Sequence, residues 1–297
     1  MRARRGFVLV NALVLVAALS AAALMLLGRA ETGRARLQAG GDGDRLALAA
    51  GAFEALAQRR LAGDAPVIDH DGELWAAPAE GLALDPGIVS GTVTDMQGRF
   101  NINWLADPAD TAMRAAFDRL VAALGLPPST GDRIAAFVRP GASDPEAWRR
   151  LDPPLAPVGG SVLLIDQLRE VPGLSSEALE RLEPYVTALP GDSLLNVNTA
   201  PGQVLSALMP DMPPTRAAQL LQRRARNPFA DVDAFLAEAG LGSDDDTIDP
   251  ARLTVGSSWF LAHATLRLGD RATRRRTMLH RPAPGQVSVA WRIETRP

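Results

Sequence analysis

Residues 7–27 form an almost unbroken apolar segment in which only Asn11 and Ser20 are polar. As a helix rising about 1.5 Å per residue, this segment extends about 31 Å, close to the hydrocarbon thickness of a bilayer. The segment is preceded by three arginines, Arg2, Arg4 and Arg5. The positive-inside bias keeps the N-terminus in the cytoplasm and sends the remaining residues across the membrane. The pattern therefore predicts a single-pass membrane protein.

Two ordinary interpretations of this segment stay open beside a more specific one. Ala21, Ala22 and Ala23 imitate the small-residue site of a cleaved secretory signal, although the apolar run continues to Leu27. An uncleaved anchor needs only hydrophobicity and flanking arginines. The Gly6-Phe7 junction, with a glycine before the segment and an aromatic residue opening it, favours a processing signal.

After the membrane segment, apolar residues recur at three- and four-residue steps with charged residues between them. These are Leu46, Ala50, Phe53, Leu56, Ala57 and Leu61. The spacing predicts that the helix continues, with one apolar face for packing. Gly40, Gly41 and Gly43 interrupt it at about 1 kcal/mol each relative to alanine, so we expect a kink or a short break there.

The remaining residues alternate between extended and helical patterns. Residues 67–103 contain short apolar pieces between turns at 70–72, 85–87 and 97–98, which predicts antiparallel hairpins. From 110 to about 239, short helical patterns are separated by glycines and prolines. Near the C-terminus, apolar and polar residues alternate over 259–268 and 287–294, which predicts two half-buried strands.

This order of elements predicts an α+β fold with a helical block inserted between strands of one sheet, because a lone pair of strands is rarely stable. We expect a long N-terminal helix packed on a small antiparallel sheet, and an inserted all-α domain. The expected divisions are a leader at 1–6, a transmembrane helix at 7–28, a first α+β part at 29–109, the helical domain at 110–250 and C-terminal strands at 251–297.

The composition limits the chemistry of the chain. It contains no cysteine, so thiol catalysis, thiolate metal sites and disulfides are excluded. His70, His263 and His280 lack metal-ligand spacing, and no serine lies in a recognisable nucleophile motif. We therefore expect no catalytic residue and no enzyme activity.

Two asparagine-containing motifs accompany the basic leader, the Gly6-Phe7 junction and the long helix. They are Gly98-Arg99-Phe100-Asn101-Ile102-Asn103 and Leu195-Asn196-Val197-Asn198-Thr199-Ala200. Together with the inserted helical domain, they resemble the minor pseudopilin K family of the type II (general) secretion pathway, whose members have a type IV pilin-like fold. The resemblance covers essentially the whole chain.

The resemblance implies a set of functional residues at the N-terminus. A prepilin peptidase would cut after Gly6, and Phe7 would become an N-methylated first residue. Most pilin-like subunits carry a glutamate at the fifth mature position, where this chain has Asn11. An amide cannot neutralise the terminal amine of a neighbouring subunit inside the membrane. Asn11 therefore implies a subunit at the tip of the pseudopilus, although a hydrogen bond within a helix pair is an alternative role.

The resemblance also implies location and partners. The chain would be anchored in the inner membrane, with its C-terminal domain in the periplasm. Its partners would be minor pseudopilins of the I, J and H types, the major pseudopilin and the prepilin peptidase, with the secretin or secreted cargo as further candidates. The expected function is to start pseudopilus assembly and thereby support export of folded proteins through the outer membrane.

A second hypothesis is a membrane-anchored DNA-binding protein, because residues 196–232 also resemble a helix-hairpin-helix module. The turn of such a hairpin holds phosphate through glycine N–H groups. Here the turn is Pro210-Asp211-Met212-Pro213-Pro214, with an acidic residue and two prolines that have no N–H. Residues 110–250 contain 12 arginines and 20 acidic residues, a net charge of −8 that repels a polyanion. We therefore expect no nucleic-acid partner.

Two clusters of charged residues each have two possible roles. Asp244, Asp245, Asp246 and Asp249 could coordinate a hard cation such as calcium, which members of the resembled family bind, but a solvated loop that caps the next helix is the simpler role. Arg274-Arg275-Arg276 could contact a partner or lipid headgroups, or could form a solvated strand edge.

Overall fold

Helix α1 runs without a break from Arg2 to Ala62 in the computed structural model. The structure describes residues 2–64, 67–84, 87–141, 146, 149–150, 159–241 and 248–295, without the side chains of 2–11 and 84. One stretch of α1 is long and apolar enough to cross a membrane, with a mean hydropathy of 2.1 and none of it buried in the protein.

A short break at Gly40, Gly41 and Gly43 is excluded, because all three glycines lie within the continuous helix, and a kink there stays a prediction. A contact from the sheet supports the helix at this point. Arg271 Nη1 donates a hydrogen bond of 3.0 Å to the Ala39 carbonyl oxygen, and its guanidinium lies 3.6 Å from the Asp42 carboxylate.

The strands of the described chain form one large sheet and two short parallel pairs. They are β1 (Ala79–Leu84), β2 (Gly87–Asp95), β3 (Phe100–Asn101), β4 (Val186–Thr187), β5 (Leu195–Asn196), β6 (Leu253–Thr254), β7 (Trp259–Leu268), β8 (Arg271–Ala283) and β9 (Gln286–Thr295). The large sheet is antiparallel in the order β1-β2-β7-β8-β9. Strands β3 and β4 pair in parallel, as do β5 and β6.

The inner face of this sheet packs on the C-terminal half of α1. Phe53, Ala57 and Leu61 of the helix are buried against a set of sheet residues that includes Phe260 and Leu266. The apolar face that the sequence predicts for this helix is therefore confirmed. The approach is close, since a Cβ atom on Gly91 of β2 would lie 2.3 Å from the Phe53 ring.

The helices between the strands share a second, larger core. They are α2 (Thr111–Ala123), α3 (Pro128–Val138), α4 (Ser176–Leu182), α5 (Gly202–Leu208), α6 (Pro214–Arg226) and α7 (Val232–Ala239). Short 3-10 helices lie at Ile102–Ala106, Ile165–Glu170 and Pro250–Arg252. Side chains of Asp110, Ser175 and Asp231 cap the N-termini of α2, α4 and α7. We call this assembly, with its core, the helical unit.

The core of the helical unit extends beyond the divisions expected at 110 and 250. Phe100, Ile102 and Leu105 are buried in this core, and so is Leu253. The reason is that β3 and β6 pair with strands inside the unit rather than with the large sheet.

The antiparallel hairpins expected over residues 67–103 are present only in part. Residues 67–78 contain turns and no strand. Strands β1 and β2 form one antiparallel hairpin, whereas β3 pairs in parallel with β4. The Glu73 carboxylate fixes the turn by accepting hydrogen bonds from the His70 backbone N–H at 2.8 Å and from the Trp75 indole at 2.7 Å. At the C-terminus the two expected strands are present, with β8 as a third strand between them.

The helical unit lies over one end of the outer face of the sheet. Met96, Leu189, Leu261 and Met278 form a small buried cluster at this contact. Beside the cluster, Arg276 of β8 forms an ion pair of 2.5 Å with Asp166 of the unit. The architecture is therefore α+β, with a long helix, a small antiparallel sheet and an all-α unit between strands of that sheet.

Candidate functional site

The first asparagine motif, at Asn101 and Asn103, holds together distant parts of the helical unit. The Asn101 side-chain oxygen accepts from the backbone N–H of Asn103 at 3.2 Å and of Leu189 at 3.1 Å. Asn103 bonds to both backbone groups of Val162, through its oxygen at 2.9 Å and its amide nitrogen at 2.9 Å. Both side chains are buried, so these bonds replace the water that the amides lose.

The second motif, at Asn196 and Asn198, repeats this arrangement. The Asn196 side-chain oxygen accepts from the Asn198 backbone N–H at 2.9 Å. Asn198 bonds to both backbone groups of Phe229, at 2.8 Å through its oxygen and at 3.0 Å through its nitrogen. In each motif the first asparagine therefore forms a turn with the second, and the second asparagine holds a distant backbone segment.

A close backbone approach joins the two motifs. A Cβ atom on Gly98 would lie 2.6 Å from Thr199 Oγ1 and 2.8 Å from the Thr199 carbonyl oxygen. The neighbouring Gln97 carbonyl accepts the Asn196 backbone N–H at 2.9 Å. Only glycine leaves room for this contact, which explains why a glycine opens the first motif.

The carboxylate of Asp95 lies at the centre of this contact between the sheet and the helical unit. Its Oδ2 atom accepts from Asn196 Nδ2 at 2.9 Å, Thr199 Oγ1 at 2.5 Å and Ser257 Oγ at 2.7 Å. Its Oδ1 atom accepts from the Gln97 backbone N–H at 2.8 Å. Full burial raises the pKa of Asp95 to about 6 in spite of these donors, and the Asp69 charge adds to the effect.

Next to Asp95, a buried ion pair connects the sheet to the segment after α1. Arg281 of β8 is 1% exposed and donates to both carboxylate oxygens of Asp69, at 2.5 and 2.6 Å. Its guanidinium also bonds to Asp64 at 3.0 Å and lies 4.8 Å from the centre of the Phe260 ring. Burial raises the pKa of Asp69, and the Arg281 charge opposes that rise.

Sequence reasoning missed Asp69, Asp95, Ser257 and Arg281, because none lies in a recognisable motif. One signal was available for Arg281. It closely follows the apolar pair Met278-Leu279 near the end of β8, where a buried arginine needs an acidic partner.

The acidic groups of this region form hydrogen bonds and ion pairs with other groups of the protein. The oxygens of Asp64, Asp69 and Glu73 lie within 4.8 Å of one another. Arg281 binds the two aspartates, and Glu73 accepts from the Trp75 indole and the His70 backbone N–H. The cluster is thus a hydrogen-bonded polar network, in which one guanidinium binds two of the three carboxylates.

The candidate calcium ligands are only partly described. Asp244, Asp245 and Asp246 lie outside the described residues. Asp249 accepts a hydrogen bond of 2.9 Å from the Ala251 backbone N–H and caps the 3-10 helix Pro250–Arg252. Calcium binding at these four residues stays a prediction.

Basic side chains of the hairpin helix α6 are used inside the protein. Arg224 donates to the carbonyl oxygens of Val197 and Ala200, both at 2.7 Å, and thereby closes the loop of the second motif. Arg223 lies over the Phe229 ring and pairs with Glu238 at 2.9 Å. These arginines hold the hairpin together, which is a packing role.

The leader residues lie at the start of α1. The backbone of Gly6, Phe7 and Asn11 is helical, and their side chains lie outside the described set. Of the motif residues, Phe100 has a packing role, with its ring centre 5.2 Å from those of Trp104 and Phe117.

Comparison with known proteins places both motifs in one family. Profiles described as Type II secretion system (T2SS), protein K match residues 98–191 and 195–256, which together are more than half of the chain. The first match begins at Gly98 and the second at Leu195, where the two motifs begin. The type II secretion system protein K of Pseudomonas aeruginosa is 32% identical over 76% of this chain and 71% of that protein.

The chain belongs to the type II secretion system protein K family. The protein K of Pectobacterium carotovorum is 28% identical over 94% of both chains. Among solved structures, a chain of the GspK-GspI-GspJ complex from enterotoxigenic Escherichia coli matches with a TM-score of 0.75 and 22% identity, over 88% of this chain and all of that one. This likeness supports the fold.

The resemblance expected from the sequence is thereby confirmed, and the chain is a GspK-like minor pseudopilin. Within this protein K, the profile matches fall on the helical unit and on its junction with the sheet. The asparagines of that junction bind backbone groups, so their geometry fits a scaffold that fixes the helical unit on the pilin-like part.

Proposed function

We propose that this protein K is the tip subunit of the type II secretion pseudopilus. In this role it starts assembly together with minor pseudopilins of the I, J and H types, and it supports export of folded proteins through the outer membrane. The observation that carries the proposal is Asn11, which stands where pilin-like subunits usually have a glutamate. The work is assembly, and no bond is made or broken by this chain.

The residue at position 11 decides which neighbours the helix can accept. A glutamate inside the membrane is costly unless a positive charge pairs with it. In stacked subunits that charge is the terminal amine of another chain. Asn11 has no charge to offer, so this subunit needs no partner above it.

The position of the helical unit favours the same end of the assembly. The unit lies over one end of the outer sheet face and is fixed there by the Arg276–Asp166 ion pair and by the Asp95 network. A rigidly held unit of this size obstructs the stacking of another subunit on that side, and only a terminal position leaves it room.

We also propose the processing and location that the family resemblance implies. The prepilin peptidase cuts between Gly6 and Phe7, and Phe7 is N-methylated. The helix then anchors the chain in the inner membrane with the sheet and the helical unit in the periplasm. The name of the GspK-GspI-GspJ complex supports partners of the I and J types. The major pseudopilin, and the secretin or cargo, are further proposed contacts.

The first test is intact mass and N-terminal sequencing of the protein from membranes of cells with and without the prepilin peptidase. A peptidase-dependent start at Phe7 is the expected result. A start at Met1, or one near Ala23, in both strains would overturn the proposed processing.

The second test locates the protein on pseudopili that are assembled in cells overproducing the major pseudopilin. An epitope on the helical unit should be labelled at one filament end only. Asn11→Glu should weaken filament initiation, while Asn11→Gln, which keeps an uncharged amide, should not. Labelling along the filament, or equal effects of the two variants, would exclude the tip position.

A further inference from the structure

The outer face of the large sheet has an open part that carries arginine without acidic partners. The inner face is fixed by Val93, Ala262 and Leu279, which pack toward α1. Since side chains alternate along a strand, their neighbours point outward. We call the exposed outward residues Thr92, His263, Thr265, Arg267 and Arg274 the arginine face.

Acidic side chains are absent from the outward positions of β2, β7 and β8, all of which are described. Within the described residues, Arg267 and Arg274 form no ion pair. Glu80 lies at the margin, on the edge strand β1, two strands away from β7. The face therefore presents two unneutralised guanidinium groups between threonine hydroxyls.

The helical unit already binds the other end of the same face through a carboxylate. Arg276, the next outward residue of β8 after Arg274, pairs with Asp166 of the unit at 2.5 Å. Burial lowers the pKa of Arg99 beside this contact, and the negative charge of Glu183 of the unit opposes that effect. The internal interface thus pairs one carboxylate, that of Asp166, with a sheet arginine, and the arginine face continues that surface without an acidic partner.

The pKa of His263 responds to the charges of the face as well as to burial. Partial burial is the main cause of its lowered pKa, the positive charges of Arg276, Arg99 and Arg274 lower it further, and the negative charge of Glu183 opposes them. Its cross-strand neighbour is Arg276 on β8, and Thr92 faces it from β2. Positive side chains near the imidazole disfavour its protonation, so a lowered pKa of His263 is the expected direction.

We propose that the arginine face is a docking surface for an acidic segment of a partner protein. Guanidinium groups bind carboxylates through paired N–H donors, and the flat sheet suits an extended segment. The proposal follows from charge complementarity and from continuity with the Arg276–Asp166 contact, and it does not depend on the pseudopilus position.

Headgroups of the anchoring membrane are a poorer occupant because of distance. Arg267 lines a groove with Leu46 of α1, and Leu46 follows the end of the apolar segment at Leu27 by 19 residues. That separation is about 28 Å along the helix, whereas the headgroup layer on each side of a bilayer is about 5–8 Å thick.

The test uses the full chain in zwitterionic nanodiscs and a short synthetic peptide of alternating glutamate and alanine. The three histidines are isotope-labelled, and His263 is assigned by comparison with His263→Gln. The peptide should bind, and it should raise the pKa of His263, because a bound anion stabilises the imidazolium. Binding should consequently strengthen as the pH falls through that pKa.

Charge-reversal variants locate the binding surface. Arg267→Glu and Arg274→Glu should each weaken peptide binding about two- to fivefold, as expected for an exposed ion pair. Arg59→Glu is the matched control, because Arg59 is exposed on α1 behind the sheet, and it should bind the peptide unchanged. Thermal unfolding of each variant verifies that the fold is kept.

Three results would overturn the proposal. These are no peptide binding, an unchanged pKa of His263 with bound peptide, and equal losses in the Arg59→Glu control. Tighter binding of nanodiscs containing phosphatidylglycerol, or of inorganic phosphate, than of the peptide would also overturn it, since the surface would then serve lipid or phosphate.

Discussion

Gly98 and Thr199 touch across the junction of the two asparagine motifs, although a hundred residues separate them in the sequence. A Cβ atom at position 98 would lie 2.6 Å from the Thr199 hydroxyl oxygen and 2.8 Å from its carbonyl carbon. The same hydroxyl donates a hydrogen bond of 2.5 Å to Asp95. The contact therefore fixes the hydroxyl that binds the buried carboxylate.

Replacing Gly98 with alanine should destabilise the protein by about 1–3 kcal/mol, since the added methyl group collides with backbone atoms that have little freedom to move. Denaturant unfolding measured by the fluorescence of the tryptophans tests this expectation. Gly191→Ala is the control, because nothing lies within 4 Å of a Cβ atom there. Equal stability of the two variants would contradict the close approach.

Asp95 should make the stability of the protein depend on pH. Its pKa rises from 3.8 to about 6 on folding, so the native state holds this proton more tightly than the unfolded state does. The free energy of unfolding should therefore fall as the pH rises from about 4 to about 6, by about 3 kcal/mol for this one group.

Asp95→Asn removes this titration while keeping the shape of the side chain. Relative to the wild type, the variant should gain stability as the pH rises through 6. Its amide N–H faces the Gln97 N–H, which leaves a buried donor unpaired and lowers the stability of the variant at every pH. Urea unfolding at acidic and neutral pH measures the difference. Asp192→Asn, at an exposed site, should keep the wild-type pH dependence, and the expectation fails if Asp95→Asn keeps it as well.

The general architecture was predictable from local patterns. The three- and four-residue spacing of Phe53, Ala57 and Leu61 predicted the helix face that contacts the sheet, and strict alternation predicted β7 and β9. Strand β8 was harder to predict, because consecutive arginines at 274–276 hide its alternation. Local periodicity also could not predict parallel pairs as short as Phe100–Asn101 with Val186–Thr187.

The junction was predictable only in its visible motifs. Asn101, Asn103, Asn196 and Asn198 stand out as repeated letters, but their partners do not. Asn196 binds Asp95 across 101 residues and Ser257 across 61, and such tertiary contacts leave no local signal in a single sequence. A helix break at Gly40, Gly41 and Gly43 was expected for a related reason, since helix propensity omits tertiary contacts such as the one that Arg271 makes with Ala39.

Arg281→Met should destabilise the protein by about 3–5 kcal/mol, because it leaves the Asp69 carboxylate buried without its positive partner. The double variant Arg281→Met/Asp69→Asn should recover part of this loss, since no unpaired charge then remains. Denaturant unfolding of the two single variants and the double variant gives the coupling free energy. Strictly additive losses would show that the two residues act independently.

Alanine at Gly40, Gly41 or Gly43 should stabilise the protein, in contrast to alanine at Gly91. These three lie within the continuous helix α1, and nothing lies within 4 Å of a Cβ atom at any of them. Each substitution should add about 0.4–1 kcal/mol by reducing the freedom of the unfolded chain.

Gly91→Ala is the opposite case, because its Cβ atom would lie 2.3 Å from the Phe53 ring and 2.4 Å from the His263 carbonyl oxygen. Thermal unfolding followed by circular dichroism should show a higher Tm for the three helix variants and a lower Tm for Gly91→Ala. A lower Tm for all four would mean that the helix bends at these glycines and needs their freedom.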